Sequence, residues 1–266
     1  MKAERALRAV EELITEFGDE KALKNFYLDF ARRLEVLRLV KEHCKPGGIV
    51  LDLGAQPFVI SCALRTMGYE VIAYDIEPEP YLKIAESCGV KVVKCDLETD
   101  ELGFSGADCA VFSEVLEHLH YYYIPLIMAK INRALKYGGY IILTTPNIAS
   151  FSKRLALLLG RQPILRYHVR EYTIDEVLSI VKRAGFEVVK AYFSVAIDLP
   201  SFPESRQVVL SYRDLIRTIV KRPTQVGILE ALTYPIKKLI PSLRALTIVV
   251  AVKSREPEVG VTERWG

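Results

Sequence analysis

Asp52-Leu53-Gly54 closes a short apolar run, and Asp75 closes the next one 21 residues after that glycine. Asp96 closes a third. A glycine at a strand end lets the backbone approach a ligand closely. An acidic residue about 20 residues further on is placed to accept hydrogen bonds from the two hydroxyls of a ribose. Asp96 offers a short polar side chain to an adenine amino group. Three carboxylates at three successive strand ends therefore form one pattern, a site for an adenosine-containing ligand. A second group, Glu114-Val115-Leu116-Glu117-His118, follows a fourth apolar run. With 114–119 read as a helix, Glu114, Glu117 and His118 fall at i, i+3 and i+4 and share a face. Two carboxylates and an imidazole suit a divalent cation, Mg or Mn. The same residues also allow a metal-free reading, in which the carboxylates cap the helix and His118 faces a substrate as general base.

Such residues need a sheet to position them. The runs Ile49–Leu53, Glu70–Tyr74, Lys91–Lys94, Cys109–Phe112 and Tyr140–Thr144 alternate with helical stretches near 58–67, 80–88, 114–119 and 124–136. Continuous apolar strands alternating with helices predict an α/β protein whose mostly parallel sheet is doubly wound, with helices on both faces. In that arrangement ligands bind at the carboxyl ends of the strands, where the strand order reverses. Strands at 186–195 and 245–252 bring the expected total to seven in a Rossmann-like sheet. A helix over 173–184, begun by Thr173 with Glu176 three residues on, precedes the first of them. Helices over 3–17 and 20–43 form an N-terminal helical cap at 1–45, stopped by Lys45-Pro46-Gly47-Gly48. The ligand-binding domain is expected over 46–253 with a helical insertion at 196–244, and a polar, mobile tail over 254–266.

Composition narrows the classes. The chain has 266 residues, 50% hydrophobic and 26% charged, enough to bury a core and unlike a disordered or membrane-spanning protein. The net charge of +3 does not by itself imply nucleic acid. Charges recur throughout the N-terminal stretch, against a signal peptide, and no apolar run approaches the roughly 20 residues of a transmembrane segment. The expected location is cytoplasmic. Five scattered cysteines lack any C-x-x-C pair, so buried free thiols are expected. Asn and Gln total only seven, a composition in which an intracellular disulfide would be less surprising.

The order VLDLGA, YEVIAYDIEP, VVKCDLETDEL, ADCAVFSEVLEHL and INRALKYGGYIILTTPN resembles the class I S-adenosylmethionine-dependent methyltransferases. The resemblance covers roughly residues 45–195, and GFEVV and TIVVAV resemble the family's last two strands. It implies S-adenosyl-L-methionine as cofactor, held by Asp52, Gly54, Ala55, Gln56, Asp75, Ile76, Asp96, Leu97, Ser113 and Glu114. Within that set it implies that Asp75 binds the ribose and Asp96 lies by the adenine. Two departures stand out. Tyr137 replaces the proline of the family's L-K-P-G-G, and D-x-G-x-G-x-G becomes Asp52, Gly54, Gln56 and Phe58. Only the first loop glycine remains, which leaves open how the methionine carboxylate is held. A nicotinamide-dependent oxidoreductase would need G-x-G-x-x-G, but Gln56 and Val59 occupy its second and third glycine positions.

The E-V-L-E-H stretch also resembles two metal-using branches of the family, the small-RNA 3′-terminal ribose methyltransferases and the quinone-pathway O-methyltransferases. That resemblance implies a metal set of Glu114, Glu117, His118 and a later histidine, for which His168 in YHVREYTIDEV is the candidate. The RNA-modifying branch's second histidine and tryptophan are absent.

Acceptor choice should lie in the N-terminal helices and in the segments after the fourth and fifth strands. Residues 204–244 carry eight Lys and Arg against three Asp and Glu, with apolar residues such as Leu215, Ile219, Leu229 and Ile236 recurring among them. This mixture suits peripheral contact with a membrane or lipid-linked glycan, a grip on RNA phosphates, or a helical lid packed on the sheet. Three functions stay open at this level. The first is methylation of a hydroxyl on a small-molecule, lipid-linked or glycan acceptor. The second is metal-dependent RNA ribose 2′-O-methylation, and the third a non-catalytic binding module on the same fold.

Overall fold

A computed structural model describes residues 3–196, 208–221 and 223–258. Strands β1 (Ile49–Leu53), β2 (Glu70–Asp75), β3 (Lys91–Lys94), β4 (Ala107–Ser113) and β5 (Leu135–Pro146) pair in parallel. β7 (Leu246–Lys253) lies antiparallel between β5 and β6 (Phe186–Ser194), giving the order β3-β2-β1-β4-β5-β7-β6. Successive residues of a strand point to opposite faces, and the central strands are buried on both, which explains their unbroken apolar runs. On one face Val50, Val111, Ile142 and Val250 meet Phe26, Phe30 and Leu37 of the N-terminal helices. On the other, Leu51, Phe112, Leu143 and Val249 share a core with Ile127, Ile131 and Val181. The last three belong to α6 (Ile124–Ala134) and α8 (Ile174–Arg183). α8 opens as its sequence predicts: Thr173 N donates to Glu176 Oε2 at 2.8 Å, and Thr173 Oγ1 accepts from Glu176 N.

The structure departs from expectation where polar side chains compete with helix. The region 20–43 forms two helices, α2 (Glu20–Leu28) and α3 (Phe30–His43), after α1 (Ala3–Phe17). They meet at Asp29, whose carboxylate pairs with Arg32 and Arg33 one turn on. Asp is poor in helix interiors because its side chain offers such local alternatives. The stretch 114–119 is not an α-helix. Glu114 has φ +59°, and only Leu116–His118 turns, as one turn of 3₁₀ helix. Glu114, Glu117 and His118 therefore do not share a helical face.

α4 (Val59–Thr66) and α5 (Leu82–Ser87) follow β1 and β2. α7 (Phe151–Leu158) is absent from the sequence reading; none of its side chains is buried, and its leucines are exposed rather than turned into the core. The insertion contains α9 (Tyr212–Lys221) and α10 (Gln225–Leu239), joined by stacking of Tyr212 on Tyr234 at 4.7 Å. Its residues 197–207 and 222 lie outside the described residues. No described helix is long and apolar enough to cross a membrane.

The expectation of five free thiols is corrected. Cys44 is bonded to Cys109 and Cys62 to Cys88, leaving Cys95 free and buried. Spacing along the chain hides this, because α3 returns to β4 and α5 to α4 only in the folded protein. The tail is held as far as 258, while 259–266 lie outside the described residues. Ser254 N and Arg255 N both donate to Gly185 O at 3.1 Å, and Asn132 Nδ2 donates to Ala184 O and Arg255 O. Gly185 has φ +86°, and a Cβ there would lie 2.4 Å from Arg255 O and 2.9 Å from Asn132 Nδ2. Gly185→Ala should thus cost about 2–4 kcal/mol in chemical denaturation while leaving cofactor affinity unchanged. A loss under about 0.5 kcal/mol would contradict the tight approach.

Candidate active site

The strand order reverses between β1 and β4, and a cavity of about 340 Å³ lies there. Asp52, Gly54, Ala55 and Gln56 line it from the end of β1, Ser113 and Glu114 from the end of β4. Gly54 N donates to Tyr74 O at 2.8 Å with φ +69°, and a Cβ would meet Val115 Cγ2 at 2.4 Å. Only glycine fits this turn. The loop continues through a cis Gln56–Pro57 peptide to Phe58 at φ +64°, the start of α4. Asp75 adjoins the loop: Gln56 N donates to its Oδ2 at 2.8 Å and Glu77 N to its Oδ1 at 3.1 Å.

The remaining residues implied for the cofactor do not line this cavity. Asp96 accepts from Glu98 N at 2.9 Å in the turn after β3, Leu97 is buried in the core, and Ile76 faces outward at 61% exposure.

The other wall was not foreseen. Asn25, Asp29, Arg32 and Arg33, from the junction of α2 and α3, line the same cavity. Arg32 Nη1 donates to Ser113 Oγ at 2.7 Å, and its Nη2 lies 3.2 Å from Asp29 Oδ2. Ser113 Oγ continues to Thr144 Oγ1 at 2.9 Å, and Thr144 Oγ1 donates to Glu114 Oε1 at 2.9 Å. Burial alone would lower the Arg32 guanidinium, but Asp29, Glu114 and Glu117 outweigh it and hold it above its ordinary value. Arg33, pushed down to about 10 by burial against the attraction of Asp29, stays cationic at neutral pH. The Arg32 Nε is buried without a partner. Two adjacent arginines on the buried side of a helix were the available signal, because a core face rarely spends two positions on guanidinium groups.

A second cavity, about 770 Å³, shares Asp29, Arg32 and Glu114 with the first. Here Glu117, His118 and His168 bring one ligand atom each within 4.8 Å of one another. His118 Nδ1 lies 3.1 Å from Tyr167 O and His168 Nδ1 lies 2.8 Å from Glu171 Oε1. With each Nδ1 so engaged, both Nε2 atoms are left for a ligand. Thr145 Oγ1 donates to Glu117 Oε2 at 3.0 Å. Burial, then the neighbouring Glu114, holds the Glu117 carboxyl well above the usual range. Burial, His118 and Lys153 push His168 down to about 4. Glu114 stands outside the group, its left-handed backbone turning the carboxylate to Thr144, so its expected place among metal ligands is not borne out. Glu171, buried and paired with Lys153 and His168, is a further residue the sequence reading missed.

A doubly wound sheet with a glycine turn at its switch point and a carboxylate at the end of the second strand defines a class, the α/β enzymes that bind a nucleoside-containing cofactor there. The chain belongs to the methyltransferase-domain family, whose family model matches residues 23–191. It is a class I S-adenosylmethionine-dependent methyltransferase. Among similar solved structures is an S-adenosylmethionine-dependent methyltransferase from Archaeoglobus fulgidus, 23% identical, with TM-score 0.54 over 84% of this chain and 94% of that one. Phosphoethanolamine N-methyltransferase 2 from Haemonchus contortus, in complex with S-adenosyl-L-methionine, is 18% identical, with TM-score 0.53 over 83% of this chain and 52% of that one. The [4+2]-cyclase SpnF is 16% identical, with TM-score 0.55 over 84% and 80%. These likenesses show the fold. No curated protein gave a significant match.

Asp52 gives the first test of the site's electrostatics. Burial, opposed by the Ser61 hydrogen bond and reinforced by Asp75, pushes its carboxyl up to about 6. A carboxyl whose pKa is raised by folding binds protons more tightly in the native state, so stability falls as pH rises from about 4 to about 6. Asp52→Asn keeps an acceptor for Ser61 and removes this slope. Urea unfolding at about pH 7 should show the variant about 2 kcal/mol more stable than the parent, with the difference gone at about pH 4. An equal or lower stability at neutral pH would show that Asp52 is not destabilised by its burial.

Proposed function

We propose that this methyltransferase acts on a hydroxyl oxygen of a small-molecule, lipid or glycan acceptor seated in the larger cavity. The supporting observation is the convergence of Glu117, His118 and His168 beside the residues that both cavities share. S-adenosylmethionine supplies a methyl group on a sulfonium; an in-line oxygen nucleophile bonds to the methyl carbon as the C–S bond breaks and S-adenosylhomocysteine leaves with the electron pair. A hydroxyl must lose its proton as the bond to the methyl carbon forms. Three side chains able to bind a cation or take a proton answer that need.

The cofactor cavity fits the polar end of S-adenosylmethionine. Arg32 and Arg33 are guanidinium donors suited to the methionine carboxylate, in place of the missing loop glycines, and Asp29 and Asp52 are acceptors suited to its ammonium. Asp75 is assigned to the ribose hydroxyls and Asp96 to the adenine, with Ile76 and Leu97 as flanking contacts. The larger cavity's donor set fits a divalent cation in its chemistry: two imidazole Nε2 atoms and one carboxylate, with Glu171 and the Tyr167 carbonyl orienting the rings. Imidazole donors favour Mn over Mg. A cation held by Glu117, His118 and His168 would lower the pKa of an acceptor hydroxyl.

Titration of chelator-treated protein with S-adenosylmethionine, and separately with Mn²⁺, tests the two sites apart. Gly54→Ala and Asp75→Ala should each weaken cofactor binding at least tenfold, about 1.4 kcal/mol, and leave the Mn²⁺ heat intact. His168→Ala and Glu117→Gln should abolish the Mn²⁺ heat and leave cofactor binding intact. Absence of Mn²⁺ heat in the parent would overturn the cation site. Unchanged cofactor affinity in Gly54→Ala would overturn the placement of the cofactor.

A further inference from the structure

The segment 151–170, which runs from α7 into the loop that carries His168, is unusual in two independent ways. It holds Lys153, Arg154, Arg161, Arg166 and Arg170 and no acidic residue. It also exposes a run of large apolar side chains: Leu157, Leu158 and Leu159 at 58%, 82% and 59%, with Leu165 and Tyr167 further on. Single exposed leucines are ordinary, but a contiguous set on a helix that buries nothing marks a contact surface.

Its charge is not neutralised within the chain. Lys153 pairs with Glu171 and Arg170 with Glu176, whereas Arg154, Arg161 and Arg166 are exposed and form no ion pair among the described residues. Three guanidinium groups without a carboxylate partner, of which Arg154 donates its Nε to Ala149 O at 2.6 Å, are interleaved with leucines and complement a surface that is anionic outside and apolar within. A nucleic acid would use the arginines and leave the leucines in water. A second copy of this segment would set arginine against arginine.

The same residues form the wall of the larger cavity. Lys153, Ala156, Pro163, Leu165 and Tyr167 line it, so the segment is surface on one side and acceptor site on the other. Resting on the reading of that cavity as the acceptor site, we propose that residues 151–169 dock on an anionic lipid bilayer and that the acceptor is an amphipathic membrane lipid bearing a hydroxyl. The leucines of α7 enter the acyl boundary, and Arg154, Arg161 and Arg166 lie at the lipid phosphates. The lipid passes along Leu165 and Tyr167 toward Glu117 and His118 without crossing bulk water.

Co-sedimentation of the full chain with vesicles tests this. One set is pure phosphatidylcholine, and the other contains roughly one-third phosphatidylglycerol. The protein should bind the anionic vesicles and not the neutral ones, with affinity falling as salt rises. Leu157→Asp combined with Leu158→Asp should weaken binding at least about tenfold, as should Arg161→Glu combined with Arg166→Glu. All four positions are exposed, and cofactor titration of each variant checks that it remains folded. No binding to anionic vesicles by protein that binds S-adenosylmethionine would overturn the docking surface and leave the hydroxyl-methylation reading standing. Binding unaffected by the leucine changes would also overturn it, as would a shift to a dimer that buries α7. An arginine-dependent grip on single-stranded RNA of at least equal strength, indifferent to the leucines, would overturn it too.

Discussion

The arrangement of this protein depends on a guanidinium that folding takes out of water. Arg32 is almost wholly buried, and an isolated charge cannot be left there. It is balanced from three directions: Asp29 on its own element, Glu114 at the end of β4, and Glu117 in the turn beyond. Its Nη1 reaches Ser113, and through Ser113 and Thr144 the polar chain runs to Glu114. Because those groups lie on α3, β4 and β5, the charge balance closes only when the N-terminal helices sit over the carboxyl ends of the central strands. Without them, Glu114 and Glu117 would lose the Arg32 cation and keep the attraction of Lys153.

That constraint also explains why the backbone is bent where it is. Among the described residues, two that are not glycine take left-handed conformations, Phe58 and Glu114, and they flank the smaller cavity from the β1 and β4 sides. Such conformations persist when surrounding contacts over-determine them, and they gather at functional sites. Phe58 is fully buried, which fixes the loop that follows Gly54. Glu114 is fixed by Thr144 and Arg32, and its turn aims Glu117 away into the larger cavity, where the histidines lie. The reversed residue at the end of β4 thus stands where the two cavities meet.

The sheet was readable from sequence because its signal is local and redundant. Each central strand is buried on both faces, so Ile49–Leu53 and Cys109–Phe112 are apolar without interruption, and the helices between them supply the alternation. The placement of Asp52, Gly54 and Asp75 was readable because it follows from where the strands end. Arg32, Arg33, Lys153 and Glu171 were not, since each acquires its meaning from a partner brought close only by folding. The helix wrongly expected at 114–119 shows the limit of spacing arguments. E-V-L-E-H has helical periodicity, yet the balance around Arg32 and Thr144 sets Glu114 in a conformation that no helix contains. The cysteine pairs were hidden for the same reason, Cys44 reaching Cys109 across the layer between α3 and β4.

The altered loop after β1 carries one further consequence. A glycine-rich turn holds a ligand's carboxylate with backbone N–H groups, which are weak donors placed by the turn itself. Here Gln56 N is already spent on Asp75 and Pro57 has no N–H to offer. Among the donors that line the cavity are the buried Arg32 and Arg33, and guanidinium groups bind carboxylates through charge-assisted hydrogen bonds roughly twice as strong as neutral ones. The helices over 20–43 are a wall of the smaller cavity itself. A family match that begins at residue 23, within α2, is consistent with that division of labour. On the proposed placement of the cofactor, loss of the loop glycines is matched by two buried arginines that the N-terminal helices bring to the same cavity.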